Sequence, residues 1–347
     1  PITLDAARAR TAMRDGVLRI ALPDGTTYPV RMERQETDGF GQWSVFGRVD
    51  TAAVLPRPWR TTGGDAVCGT LPMPDGHALQ IVTNHGRVLA SRAGGLMPSG
   101  RGTLADTATR SRKDMVAKRR EATRSASAQG TTFDATLTRA VAAASPPTAQ
   151  ALQAAAAPPV PTQVLTPSGG VQALAGPITI SVLGVYTDDL VALRGSGSAV
   201  QTELSNKVAA STQAHIASAS IVRFSLVATK RVDIPAWVPN DEVLYAIPAG
   251  PILGIDFERL RDTASADVVA IVRPHTTEHI ECGIASVGGN GLYGTDTEAL
   301  FGYAVVNTEP CGPHVMAHEL GHVLGAAHHR ETDYAGLVVR EASYAVS

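Results

Sequence analysis

The sequence predicts a mixed α/β fold with a twisted sheet, preceded by a small β-rich domain. Three observations predict this. Residues 1–130 hold short apolar runs punctuated by Pro-Asp-Gly and Asn-X-Gly turn signals. Residues 131–176 are rich in Ala, Pro, Thr and Gln and read as a linker. From Pro177 onward, β-branched runs alternate with helical stretches. A chain of 347 residues is long enough for two such parts, and 44% hydrophobic residues suffice for a core in each. With 5% aromatics, that core must be built of Val, Leu, Ile and Ala.

In the first part, strands are expected at Gly16–Leu22, Thr27–Met32, Trp43–Val49, His77–Val82 and Arg87–Ala90, with Asn84-His85-Gly86 closing a hairpin between the last two. In the second part, Ile178–Val185 reads as a strand, Ala199–Ala217 as a helix with Val200, Leu204 and Val208 on one face, and Ile221–Lys230 as a strand. Leu253–Arg261 reads as a short helix and Val268–Val272 as a buried strand. Ile284–Val287 and Tyr303–Val306 follow as strands, and Pro313–Leu324 as a final helix with proline near its start. No apolar run reaches the roughly 18 residues of a membrane-crossing helix. No basic-then-apolar leader opens the chain at Pro1, which fits a numbering that begins after signal removal.

The final helix carries the chemistry. His318-Glu319-Leu320-Gly321-His322, then Val323-Leu324-Gly325-Ala326-Ala327-His328, spells H-E-x-x-H-x-x-G-x-x-H. On a helix, His318 and His322 stand one turn apart on one face. Two neutral imidazoles so placed can bind one Zn²⁺ at about 2.0–2.1 Å each. Gly325 permits the left-handed turn that lets the chain leave the helix, so that His328 returns as third ligand. His329, Glu331 and Asp333 are alternatives for that place. A fourth position left to water marks a catalytic site, and Glu319 is the general base placed to take that water's proton and return it to a leaving amine.

These residues resemble the metzincin clan of zinc endopeptidases. Cys282–Gly289, Gly302–Asn307, Cys311 and Ala317–His322 are similar to the reprolysin-like families, and most of all to the bacterial peptidyl-Asp metalloendopeptidases. The resemblance extends more loosely back to about Ile178. It implies His318, His322 and His328 as zinc ligands, Glu319 as general base, and a metzincin-like catalytic domain over residues 177–347. It also implies a Cys282–Cys311 disulfide and an edge strand, Ile284, Ala285, Ser286 and Val287, to which a substrate peptide adds antiparallel. Two departures stand out. His329 occupies the place where reprolysin-like enzymes usually carry Asp. No methionine follows Met316 before Ser347, so the Met-containing turn of the clan is absent: the sequence is either truncated or lacks the floor of the site.

Charge divides between the parts. Residues 1–130 carry 19 Lys and Arg against 12 Asp and Glu, whereas residues 131–347 carry 11 against 20. A basic domain tethered to an acidic one favours docking, and residues 1–130 are expected to be an inhibitory prosegment; otherwise Arg110-Ser111-Arg112-Lys113 and Lys118-Arg119-Arg120 contact nucleic acid or solvent. Cys68 is left over. It either serves as a cysteine switch that occupies the open zinc position, or is a buried structural thiol. The sequence thus reads as a secreted, extracellular bacterial zymogen acting on protein or peptide substrates, with neither nucleic acid nor membrane as partner. The alternatives are a weak or inactive interaction module of the same fold, and a zinc amidase acting on cell-wall peptide. His77, His85, His215, His275, His279 and His314 are expected at the surface or around the site's margin.

Overall fold

The computed structural model describes residues 14–21, 27–49, 59–72, 78–93, 176–279, 281–287 and 298–326, with Thr11, Gly25 and the short segments 107–108, 138–139, 163–165 and 171–173.

The first part is a seven-stranded antiparallel meander: β1 Val17–Ala21, β2 Thr27–Thr37, β3 Trp43–Val49, β4 Trp59–Gly63, β5 Ala66–Pro72, β6 Ala78–Asn84 and β7 Arg87–Ala93. The expected strands are present, and β4 and β5 were missed. Their run Thr61-Thr62-Gly63-Gly64-Asp65 lacks an apolar alternation, and their pairing to β3 and β6 is a tertiary choice. The expected hairpin is there: Asn84 pairs with Arg87 around His85 and Gly86, both at positive φ as a tight hairpin turn requires. One face of the sheet buries Val30, Val49 and Leu71.

The second part is a mixed sheet in the order β8 (Thr107–Ala108), β15 (Gly283–Ser286), β16 (Tyr303–Asn307), β14 (Val268–Arg273), β12 (Ile178–Thr187), β13 (Val222–Val232) and β9 (Thr138–Arg139). β12, β13, β14 and β16 run parallel and β15 is antiparallel to β16. Its central strands are buried on both faces, which explains their uninterrupted Val, Ile and Ala runs. α1 Asp188–Arg194, α2 Gly197–Ala217 and α5 Val315–Val323 share one apolar layer, with Val200, Leu204, Met316 and Leu320 against Val182, Ala270 and Ala304. α3 Asn240–Ala246 and α4 Phe257–Ala264 cover the other face, with Val243, Leu244 and Leu260 against Val185, Ile271 and Val305.

Three boundaries differ from expectation. α4 begins at Phe257 and not at Leu253, because Leu253 and Gly254 are left-handed and Asp256 caps the helix by accepting from Arg259 N at 2.9 Å. α5 begins at Val315, two residues after Pro313. Residues 131–176 are not featureless: Thr138–Arg139 pairs with β13, and β10 Gln163–Leu165 pairs with β11 Val171–Ala173.

The meander packs on α2, and the contact is largely polar. Thr202 Oγ1 donates to Gln42 Oε1 at 2.9 Å, Ser198 Oγ to Asp65 Oδ1 at 3.1 Å, and Asn206 Nδ2 to Thr61 Oγ1 at 3.1 Å and Cys68 O at 3.2 Å. Phe46 sits on Ala209 and Ala210, with the Arg34 guanidinium 3.9 Å above its ring. α2 is therefore buried all round, with an apolar face to its own sheet and a polar, small-residue face to the meander.

Candidate metal centre

α5 sets the two histidines of the motif at one another. Their Nε2 atoms stand 3.0 Å apart, with the rings edge-on. Two ligands of one tetrahedral ion at about 2.05 Å would stand roughly 3.3 Å apart, so the spacing fits a shared Zn²⁺. His322 Nδ1 lies 2.8 Å from Ala326 O. A carbonyl only accepts, so Nδ1 carries the proton and the Nε2 lone pair faces His318. This is the backbone bond that orients a metal-binding imidazole.

The bond exists because of how α5 ends. Gly325 is left-handed at φ 90°, its N–H reaches His322 O at 2.8 Å, and Ala326 N–H reaches Gly321 O at 2.9 Å. This is a Schellman motif, and it swings Ala326 O back beneath His322. The expected role of Gly325 is thereby seen as far as Ala326. His328, the third ligand of the motif, lies outside the described residues, as do His329, Glu331, Asp333 and Gly288-Gly289-Asn290-Gly291.

Glu319 is buried beside the pair. Its carboxylate lies on Gly283, the first residue of β15, with no space between for a side chain. Cys282 and Cys311 are joined, with Cα atoms 5.5 Å apart, so the disulfide fixes the start of β15 to the segment that leads into α5. His275 stands beside this disulfide, its ring nitrogen within 4.8 Å of both sulfurs. Sulfurs bonded to each other are not thiolates, so the trio is not a metal site.

Further support comes from charge. Arg194 at the end of α1 donates Nε to Glu203 Oε2 at 2.7 Å and Nη2 to Glu203 Oε1 at 3.1 Å, and it also bonds Glu309, just before Cys311. Burial opposes the guanidinium's charge, but Glu203 and Glu309 outweigh it and hold the pKa above its usual value. Burial likewise pushes the Glu203 pKa up, and Arg194 and Lys207 overcome it and bring it down. The pairing ties α1, α2 and the approach to α5 together.

Cys68 sits at the meander–α2 contact, where Sγ donates to Asn206 Oδ1 at 3.4 Å. Burial pushes its pKa far up. It is outside the disulfide and buried.

Ile284, Ala285, Ser286 and Val287, expected as an edge strand, are buried, with Ile284 and Ala285 paired to β16. The outer edge of β15 is taken by Thr107–Ala108, which runs parallel to it with Ala285 opposite Thr107 and Ser286 opposite Ala108. Nothing in the sequence of residues 107–108 signalled this. His279, expected at the surface or around the site's margin, is 4% exposed; Asn307 draws it in, with Nδ2 3.1 Å from His279 Nδ1.

Residues 177–345 match the sequence model of metallo-peptidase family M12B, reprolysin-like. That match supports a zinc metallopeptidase. The M12B metallopeptidases are zinc-dependent, in keeping with the imidazole pair on α5. No curated protein matches the chain. Among solved structures, a chaperone–substrate complex is similar at TM-score 0.37 and 21% identity over 49% of this chain, which spans only 30% of that one. Metalloproteinase-II from Bacteroides fragilis is similar at TM-score 0.42 and 12% identity, over 93% of this chain and 84% of that one. Among the described residues, no helix is long and apolar enough to cross a membrane.

Proposed function

We propose that this chain is a secreted zinc endopeptidase made in a latent form, in which residues 1–130 inhibit residues 177–347. The observation that carries the catalytic reading is the pair His318 and His322, with Nε2 atoms 3.0 Å apart and one tautomer fixed by Ala326, next to the buried carboxylate of Glu319.

His318, His322 and, by the motif, His328 would hold Zn²⁺. When bound there, the ion supplies Lewis acidity, polarising an amide carbonyl and acidifying a water. The chain's own residues do the rest. Ala326 O holds His322 in the tautomer whose Nε2 can ligate. Glu319 accepts a proton from the attacking water and returns it to the departing amine. The edge strand Ile284–Val287 offers main-chain groups that align an extended peptide. The Cys282–Cys311 bond supports export, since disulfides persist in oxidising compartments.

Latency is supported by two contacts. The polar face of α2 is one that water could cover once the meander left. Thr107–Ala108 lies where a substrate strand would add, in the opposite direction to the antiparallel one expected of substrate.

The test is zinc content by elemental analysis, with casein and cell-wall peptide digests before and after removal of residues 1–176, for the native sequence and for Glu319→Gln. One equivalent of zinc, casein cleavage that increases after removal, and loss of cleavage without loss of zinc in Glu319→Gln are expected. Zinc without cleavage of either substrate would favour a binding module, and cleavage of cell-wall peptide alone would favour an amidase.

A further inference from the structure

A second polar cluster lies apart from the metal helix, at the carboxyl ends of three neighbouring parallel strands. β12 ends on Thr187, β14 on Arg273 and β16 on Asn307. Each stands two residues beyond a member of the apolar layer under α3 and α4, namely Val185, Ile271 and Val305. Strand alternation therefore turns all three side chains to that layer. Asn240, the first residue of α3, closes over them and donates Nδ2 to Asn307 Oδ1 at 2.5 Å. Thr187, Arg273, Asn307 and Asn240 are all 0% exposed.

Arg273 is the group this cluster leaves unbalanced. Its Nη2 donates to Pro235 O at 2.7 Å, but Nε and Nη1 have no acceptor among the described residues. The same holds for Thr187 Oγ1 and for His279 Nε2. Burial pushes the Arg273 pKa down to about 10, partly offset by Asp189. Asp189 is itself exposed, and its Oδ2 accepts from Ala236 N at 2.9 Å. A buried guanidinium stays charged, and an unpaired buried charge is costly.

We propose that this row is a binding site for one small anion of the halide class, held by Arg273 Nε and Nη1 with the hydroxyl of Thr187. The donor set selects the sign: among the described residues no carboxylate bonds the free guanidinium nitrogens or the hydroxyl, and Asp189, which offsets the guanidinium's burial, is turned to Ala236 N, so the pair suits an anion and repels a cation. Full burial selects the size, since phosphate esters and larger carboxylates would need an opening to water. The position suits a ligand, because open sheets of parallel strands take theirs beyond the strands' carboxyl ends. The ion would tie β12, β14 and the 235–240 loop together from inside.

The experiment is a thermal melt of the full chain in sodium gluconate, titrated with sodium chloride or bromide at constant ionic strength, with bromide anomalous scattering from a soaked crystal. A saturable rise in Tm with halide is expected, and a bromide peak against the Arg273 guanidinium. Thr187→Val, which removes the hydroxyl and little volume, should raise the halide concentration for half the shift several-fold. Arg273→Met should abolish the shift; if that variant does not fold, Thr187→Val decides alone. Equal melting in gluconate and halide, a saturable shift that Thr187→Val leaves unchanged, or bromide only elsewhere would overturn the proposal. None of these readouts depends on peptidase activity.

Discussion

The carboxylate of Glu319 rests on the bare backbone of Gly283: a Cβ at that position would stand 2.6 Å from Oε1, 2.8 Å from Cγ and 2.9 Å from Cδ. Neither side can easily give way. Gly283 follows Cys282, which is bonded to Cys311, and Glu319 is buried on α5 between the two histidines. One methyl group at Gly283 must therefore move the carboxylate. A displacement of about 1 Å at a reacting group can cost about 10²-fold in rate. Gly283→Ala in the processed enzyme is expected to lose about that factor in kcat/KM while holding one equivalent of zinc, since the three atoms nearest the added methyl all belong to Glu319 and none to His318 or His322. Peptide hydrolysis and elemental analysis of the same sample check it, and activity within twofold of the parent would show that Gly283 does not position Glu319.

That contact also shows where sequence reasoning stopped. The ligand pair was legible because H-E-x-x-H is local, and one helix turn fixes its geometry whatever surrounds it. The Gly325 turn was legible for the same reason, and the central strands because burial on both faces leaves unbroken β-branched runs. Gly283, Arg273 and the pairing of Thr107 with Ala285 were not. Each gets its meaning from a partner far away in the chain, and neither a lone glycine, nor an arginine closing an apolar run, nor a Thr-Ala dipeptide has a periodic signature. α3 was missed because its Asn240-Asp241-Glu242 start is polar and, of its apolar residues, only Val243 and Leu244 are buried.

The disulfide closes a span of 29 residues that contains β15 and β16. For a loop of that size, chain entropy predicts a contribution of about 3–4 kcal/mol. The double substitution Cys282→Ser with Cys311→Ser is expected to lower the unfolding free energy by about that amount in urea melts. Reductant should reproduce the loss in the native sequence and change nothing further in the variant. A difference below about 1 kcal/mol would mean that the buried Arg194–Glu203–Glu309 pairing holds this segment unaided.

His279 gives stability a pH dependence. Burial, then the charges of Arg273 and His275, push its pKa down to about 4, from about 6.5 in the unfolded chain. Between those values the unfolded state binds the proton and the folded state does not, so stability rises with pH across that window. His279 therefore contributes fully above pH 6.5, and its contribution is lost progressively down to pH 4. The loss amounts to about 2–3 kcal/mol by linkage. In chloride-free buffer, urea melts from pH 7 to pH 4 should show it, and His279→Gln should flatten the slope. An unchanged slope in that variant would place the acid sensitivity in other groups.

Thr107–Ala108 makes the sharpest prediction about latency. β15 is the last strand of its sheet on that side but for this segment, and its pairing to β16 uses only one of its edges. If substrate adds to β15 as proposed, an extended peptide and residues 107–108 would compete for the same main-chain groups. Running parallel, the segment presents its N–H and C=O groups in reversed order, so it can occupy the edge without offering a bond in the direction the site is built for. Adjacent N–H groups of an extended segment point to opposite sides, so proline at both positions removes the one donor that faces β15 and also clashes with a paired strand. At about 1 kcal/mol for that bond, the occupied state should lose roughly fivefold in population. Intact chain carrying Thr107→Pro and Ala108→Pro is expected to hydrolyse a fluorogenic peptide several-fold faster than the parent, and its amides at Ile284–Ser286 should exchange with deuterium sooner. Once residues 1–176 are removed, the two preparations should be identical. If the processed enzyme is active while the intact variant stays as slow as its parent, inhibition resides in the meander on α2 and not on the edge of β15.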